Sequence, residues 1–370
     1  MNNYKTLNVW MNGKKVGTLA VTRDYLTAFE YDPEWLNDGF SINPLSLPLE
    51  KRVFVPKRFD PFEGLFGVFS DSLPDGWGRL LLDRLLSRNK INPAEVNSLT
   101  RLAIVGKSGM GALEYQPETI LESEEKEMSL DQIAMECKKI FDSEQSGNLD
   151  TLFRLGGSSG GARPKIYYEL DGKEWIVKFP SALDRRNIGE EEYRYSVCAK
   201  KCGINMPETR LLSSELTSGY FAVERFDRTE KKKVHMISVS GLLETSHRIP
   251  NLDYNILMRL TMKMTGDYEE VEKLYRQMCF NVFAHNRDDH SKNFSFIYDG
   301  ERWKLSPAYD LTYSNSIGGE HATTVNGNGR DPGMEDLLAV AGQIKFDPNK
   351  AKRIAAEIEE IVSTDLAEYL

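Results

Sequence analysis

The segment Asn286-Arg-Asp-Asp-His-Ser-Lys-Asn-Phe294 follows a strongly apolar run in which Val271, Leu274, Tyr275, Met278, Val282 and Phe283 recur at helical spacing. Two aspartates, a histidine, a lysine and two asparagines crowd into this short stretch. One use of such a cluster is structural, with short polar side chains capping helices and turns. The other is chemical. Asp288 and Asn293 are five positions apart, so one loop turn can present a carboxylate to a hydroxyl and an amide oxygen to a metal ion. Downstream, Phe294-Ser-Phe-Ile-Tyr298 and Arg302-Trp-Lys-Leu305 flank Asp299-Gly300, the pattern of a β-hairpin. Asp310, in Pro307-Ala-Tyr-Asp-Leu311, falls just past that hairpin and is the candidate second metal ligand.

Upstream lies the most glycine-rich segment, Leu155-Gly-Gly-Ser-Ser-Gly-Gly-Ala-Arg-Pro-Lys165. Glycines let backbone N–H groups approach phosphate oxygens with no Cβ in the way, although a glycine-rich connector between modules has the same composition. It is not a Walker A loop, because no GK[ST] closes it and a hairpin rather than a helix follows. That hairpin runs through residues 165–170, turns at Asp171-Gly172 and returns as Trp175-Ile-Val-Lys-Phe179. Lys178 lies among Ile176, Val177 and Phe179, where a cation is costly unless a carboxylate or an anionic ligand compensates it. The predicted helix over residues 190–202, ended by Gly203, offers Glu192 as the partner, with Glu191 equally eligible by sequence. Next comes the strand Phe221-Ala-Val-Glu-Arg-Phe226. Glycine-rich loop, strand lysine, helix glutamate, Asp-x4-Asn and metal-site aspartate follow the order in which protein kinases hold ATP and Mg²⁺. This order predicts an α+β, two-lobed protein-kinase-like fold. Its small lobe covers residues 121–228 and its helical lobe residues 229–370, after a β-rich subdomain over residues 1–120.

In that first part Leu7, Val9 and Met11 alternate with polar residues, Asn12-Gly13 is a hairpin signal, and residues 16–21 and 26–31 continue as strands. Residues 62–86 turn helical around Ser72-Leu-Pro-Asp-Gly76, and Glu122-Ser-Glu-Glu-Lys-Glu127 reads as a linker. Residues 130–141 and 351–369 are further predicted helices. The chain has 370 residues, 40% hydrophobic and 28% charged, which excludes disorder as its main state. Asp plus Glu number 56 against 47 Lys plus Arg, a formal charge of -9 that excludes coating nucleic acid by bulk charge. Lys231-Lys232-Lys233 and Arg185-Arg186 read as solvated loop charges. No apolar stretch is long enough to span a membrane and residues 1–15 lack an apolar signal region, so the expectation is a cytoplasmic protein. Cys137, Cys198, Cys202 and Cys279 form no CxxC, and His235, His247, His285 and His321 have no metal-ligand spacing.

The glycine-rich segment, Val223-Glu-Arg-Phe-Asp-Arg228, Asp288-Asp-His-Ser-Lys-Asn293 and Pro307-Ala-Tyr-Asp310 together resemble the HipA-type serine/threonine kinases, toxins of bacterial type II toxin–antitoxin modules. The likeness covers nearly the whole chain, including Leu73-Pro-Asp-Gly-Trp-Gly-Arg79. It implies that Asp288 is the catalytic residue and that Asn293 and Asp310 bind Mg²⁺. ATP would be held by Gly160, Gly161, Ala162, Arg163, Lys165, Lys178, His290 and Lys292, with Glu224, Arg225 and Phe226 as the adenine-binding hinge. The resemblance marks Ser158, or its neighbour Ser159, as the loop serine that such kinases phosphorylate to inactivate themselves. The partners it implies are a protein substrate and a small DNA-binding antitoxin through which alone the chain would reach DNA.

Two other readings use the same residues. One is a non-catalytic, antitoxin-binding corepressor that keeps the kinase fold. The other is a small-molecule kinase, which needs a deep acidic acceptor pocket where a protein kinase needs an open groove.

Overall fold

Alternation of apolar residues makes the first strand, β1 (Thr6–Met11), one-sided, with Leu7, Val9 and Met11 buried. Asn12 (φ 48°) and Gly13 (φ 83°) form the predicted tight turn into β2 (Lys14–Val21). With β3 (Thr27–Tyr31), β4 (Val53–Phe54) and β5 (Leu113–Gln116) they make an antiparallel sheet of order β4-β3-β2-β1-β5. Helices α1 (Pro33–Asp38), α2 (Gly67–Ser70), α3 (Gly76–Arg88) and α4 (Ser98–Val105) occupy the connections. The apolar run over residues 62–86 is therefore two helices, parted by the turn at residues 71–75. The structure, a computed structural model, describes residues 2–120, 127–142, 146–181, 184–230 and 232–370, so the predicted linker lies outside the described residues up to residue 126.

The small lobe begins with α5 (Leu130–Phe141), whose start is fixed by reciprocal hydrogen bonds between Ser129 and Gln132. Next, α6 (Leu149–Gly156) feeds the glycine-rich loop, so Gly156 ends a helix rather than opening the loop. The hairpin of β6 (Lys165–Leu170) and β7 (Lys173–Lys178) follows as expected. After α7 (Ile188–Lys201), β8 (Thr209–Leu212) and β9 (Tyr220–Glu224) complete a sheet of order β6-β7-β9-β8. Trp77, Leu81 and Leu85 of α3 share one apolar cluster with Ile133, Ile166, Trp175 and Val177, so a helix from the first part of the chain lies in the small-lobe core.

The helical half contains β10 (His235–Ser238), α8 (Val239–Leu242), β11 (Leu252–Asp253), α9 (Tyr254–Thr265) and α10 (Tyr268–Phe283). After these come β12 (Ser295–Tyr298), β13 (Trp303–Leu305), β14 (Thr323–Thr324), α11 (Met334–Gln343) and α12 (Pro348–Asp365). The predicted β12-β13 hairpin gains β10 on its outer side, and β11 pairs in parallel with β14. The N-terminal sheet region is welded to this half through polar groups. Asn43 Nδ2 donates to the Gly241 carbonyl at 3.2 Å, and the Gly67 N–H to Glu244 Oε2 at 2.9 Å. All four cysteines are free and buried. Among the described residues no helix is long and apolar enough to cross a membrane.

Candidate active site

A cavity of about 600 Å³ opens between the β6-β7-β9-β8 sheet and the helical half, and the segment after α10 forms part of its wall. That segment is held from behind by Asp289, which is buried. Its carboxylate accepts from the Tyr254 hydroxyl at 3.0 Å, His321 Nδ1 at 2.9 Å and the Thr323 N–H at 3.0 Å. With Asp289 so anchored, the adjacent Asp288 faces the cavity, its side chain 60% exposed. Burial of its surroundings raises the Asp288 carboxyl above the usual range; His290, 3.9 Å away, opposes this and the charge of Asp310 adds to it. Asn293 Nδ2 donates to the Asp288 carbonyl at 2.7 Å, which leaves its amide oxygen without a partner among the described residues.

Opposite this wall, Lys178 at the end of β7 is 10% exposed and pairs with both Glu192 of α7 and Asp310. The sequence left Glu191 and Glu192 equal, and the helix register turns Glu192 to the lysine. Burial alone would raise the Asp310 carboxyl, but Lys178 and Lys165 outweigh it and hold it well below the usual range. Asp310 adopts a left-handed backbone (φ 53°), uncommon for a non-glycine residue and found where surrounding structure dictates the position of a side chain. Arg163 forms a two-bond pair with Asp184, both at 3.2 Å.

Lys165 differs from these cations. It lines the same cavity and is 8% exposed, yet among the described residues its ammonium makes no hydrogen bond or close ion pair and is favoured only through space, chiefly by the charge of Asp310. Burial pushes its ammonium below the ordinary lysine range. A buried ammonium with no hydrogen-bonding acceptor is a standing cost that an anion in the cavity would relieve. Polyphosphate fits that requirement. No group of three or more His, Cys, Asp or Glu suited to a metal exists among the described residues. A Mg²⁺ ion bound with phosphates needs only one or two protein ligands, and Asp310 with the free Asn293 oxygen is such a set.

The remaining predicted residues are placed as follows. Phe226 lies 5.8 Å from Tyr309, ring to ring and nearly parallel, and with Ile176 and Val223 gives the cavity an apolar wall suited to a flat heterocycle. Glu224 pairs outward with Lys173 at 2.8 Å. The Arg225 guanidinium is turned to Asp227 at 2.8 Å and Glu174 at 3.2 Å, so its charge serves the fold beside the cavity. Ala162, Gly160 and Gly161 line the cavity, as do His290 and Lys292. Ser158 donates to the Ser108 carbonyl at 2.9 Å and Ser159 to that of Gly156, and both are buried. The HipA N-terminal domain family matches residues 7–116, and the HipA-like C-terminal domain family matches residues 157–365.

The chain belongs to the HipA-like family. Among relatives, the serine/threonine-protein kinase toxin HipA of Shewanella oneidensis is 22% identical over 93% of this chain and 80% of its own. Y4dM of Sinorhizobium fredii, a candidate kinase, is 26% identical over 82% of this chain and 76% of its own. The Shewanella oneidensis HipA, HipB and operator DNA complex contains a chain of the same fold, with a TM-score of 0.72 at 18% identity, covering 98% of this chain and 90% of that one.

In this HipA-like chain several cavity residues come from places that sequence reasoning passed over. Asp71 and Asp75 enter from the first part of the chain, and His247 and Arg248 from the segment after α8. Lys292 Nζ donates to Asp75 Oδ2 at 2.5 Å, a contact across 217 positions. The cluster Leu73-Pro-Asp-Gly-Trp-Gly-Arg79 was the available signal, because Pro, Asp and Gly in succession mark a turn before a helix start.

Proposed function

We propose that this HipA-like chain is a serine/threonine protein kinase that uses ATP and Mg²⁺, and the toxin of a toxin–antitoxin pair. The observation that carries the reading is Lys165, a buried cation whose ammonium has no hydrogen-bonding partner among the described residues, in a cavity that Asp288 also lines. Phosphate oxygens would be met by Lys165, Lys178 and the loop N–H groups, and the base by Ile176, Val223 and Phe226. Mg²⁺, held by Asp310 and Asn293, would neutralise charge on the phosphates. In the transfer, the acceptor oxygen bonds to the terminal phosphorus as the bond to the departing ADP oxygen breaks, and the hydroxyl proton passes to Asp288.

A protein hydroxyl suits the acceptor side better than a small molecule does. Asp288 is well exposed, and His247 and Arg248 line the cavity too, while the carboxylate Asp75 there is already engaged by Lys292. The toxin role and a small DNA-binding antitoxin are supported by the named relatives, and the charge of -9 suits a chain that reaches DNA through that partner. A cytoplasmic location accords with these partners. One of the chain's own serines, Ser158 or Ser159, would accept phosphate and switch the kinase off, since about −1.5 to −2 charges on the loop repel ATP phosphates.

The test is transfer of labelled γ-phosphate from ATP, followed by mapping of the modified residue. Label on the loop that disappears in Asp288→Asn is the expected result. Nucleotide binding with no transfer to this chain or any other protein would favour the corepressor reading.

A further inference from the structure

Asp75 is the N-cap residue of α3, yet its side chain makes no capping hydrogen bond. The carboxylate reaches into the cavity. Oδ2 accepts from Lys292 Nζ at 2.5 Å, and Oδ1 accepts from the backbone N–H of Gly161. Backbone contacts lock the approach. The Trp77 N–H donates to the Gly161 carbonyl at 2.9 Å. A Cβ on Gly76 would stand 2.4 Å from that same carbonyl oxygen, and one on Gly78 would stand 2.5 Å from the Ser159 oxygen. The turn and the glycine-rich loop therefore pack backbone to backbone with no room for side chains between them.

A loop N–H and a lysine of the Asp288 segment are the donors that the outermost phosphate of a bound nucleotide would seek. We propose that Asp75 stands in for the terminal phosphate of a nucleoside triphosphate, so that the resting cavity favours a diphosphate and a triphosphate seats only when Asp75 withdraws. The inference rests on the nucleotide reading given above. Three observations support it. Asp75 bridges both donors at once, as a phosphate would. Lys292, against the opposing effect of burial, holds its carboxyl down at about 2, so at neutral pH the occupant is an anion that a phosphate cannot sit beside without repulsion. The Lys165 ammonium, by contrast, has no hydrogen bond or close ion pair among the described residues and remains available to a diphosphate. Asp75 is thus a specificity-determining residue, supplied to the cavity by the part of the chain that matches the HipA N-terminal domain.

The experiment is calorimetry of ADP and of a non-hydrolysable ATP analogue, both with Mg²⁺, on wild type, Asp75→Asn and Asp75→Ser. Asparagine and serine both serve as N-caps, so the start of α3 is kept, and thermal melting checks this. Wild type should already bind ADP more tightly than the analogue, a result that needs no variant. If the Asp75-bound state dominates by about ten to one, both variants should bind the analogue about tenfold more tightly, with ADP affinity changed less than about twofold. Unchanged or weaker analogue binding in variants that melt like wild type would overturn the proposal and make Asp75 a brace for the loop. A wild type that prefers the analogue overturns it too. Wild type that binds neither nucleotide removes the nucleotide reading itself, and this proposal with it.

Discussion

Lys178 and Asp310 pair across the cavity, one carried by the last residue of β7 and the other by the left-handed turn beyond β13. The pair ties the sheet lobe to the helical half at the point where metal and phosphate would enter. Any ligand that takes Asp310 must loosen its hold on Lys178, so a nucleotide bound as proposed would be linked to the relation between the lobes through one ion pair.

Lys178→Met keeps an apolar stem in β7 but leaves Glu192, 4% exposed, facing only Arg163 at 3.7 Å. Removing one partner of a buried pair costs about 3–5 kcal/mol, so the variant should melt well below wild type. Lys178→Met combined with Glu192→Gln should recover most of that loss while still failing to bind nucleotide. Urea unfolding of the single and double variants measures this, and a double variant no more stable than the single one would contradict it.

Asp310→Asn and Asp288→Asn should fail differently. The first removes the proposed metal ligand and should weaken Mg²⁺-dependent nucleotide affinity in calorimetry. The second should leave that affinity near wild type and lower the transfer rate by roughly 10²–10⁴-fold, the usual worth of a general base. Equal affinity for wild type and Asp310→Asn would remove Asp310 from the metal site.

Ser158 must leave the Ser108 carbonyl before it can accept phosphate, a loss of about 1 kcal/mol that loop motion must supply. Intact mass after incubation with Mg²⁺ and ATP should show added phosphate on wild type, none on Asp288→Asn and less on Ser158→Ala. Modified protein that binds ATP as tightly as unmodified protein would show that the loop phosphate is no switch.

His235 predicts a pH dependence of stability. It is buried, its Nε2 donates to the Ile42 carbonyl at 3.0 Å, and its Nδ1 has no partner, so burial pushes it down to about 4. Unfolded, it takes a proton near pH 6.5, whereas the folded chain refuses one until about pH 4. Its contribution is complete above pH 6.5 and is lost as the pH falls from 6.5 toward 4, about 3 kcal/mol in all. In His235→Gln, whose amide can still donate to Ile42, stability should fall less steeply over that window. Parallel denaturation curves for the two proteins would exclude His235 as the source.

The sequence made legible what is encoded locally. The β6-β7 and β12-β13 hairpins announce themselves by turn dipeptides, and Lys178 by its apolar neighbours. The short strands β8 and β10 were not legible, since four residues hold too few alternations and β10 is a strand only because β12 pairs with it. The site divides in the same way. Asp288, Asn293 and Asp310 sit in one short stretch with recognisable spacing, and the choice between Glu191 and Glu192 awaited the helix register. Asp75 and the Asp289–His321 contact depend on chain segments far apart, which no periodicity records.

The placement of α3 in the small-lobe core has a consequence for how the chain is made. Trp77, Leu81 and Leu85 leave the ribosome well before the partners that cover them, and Val177 follows Trp77 by a hundred residues. At about 5–20 residues per second the apolar stripe of α3 waits some 5–20 s for β6 and β7. Throughout that interval a nascent chain carries a sticky, half-built surface, exposed to association with other chains until β6 and β7 arrive.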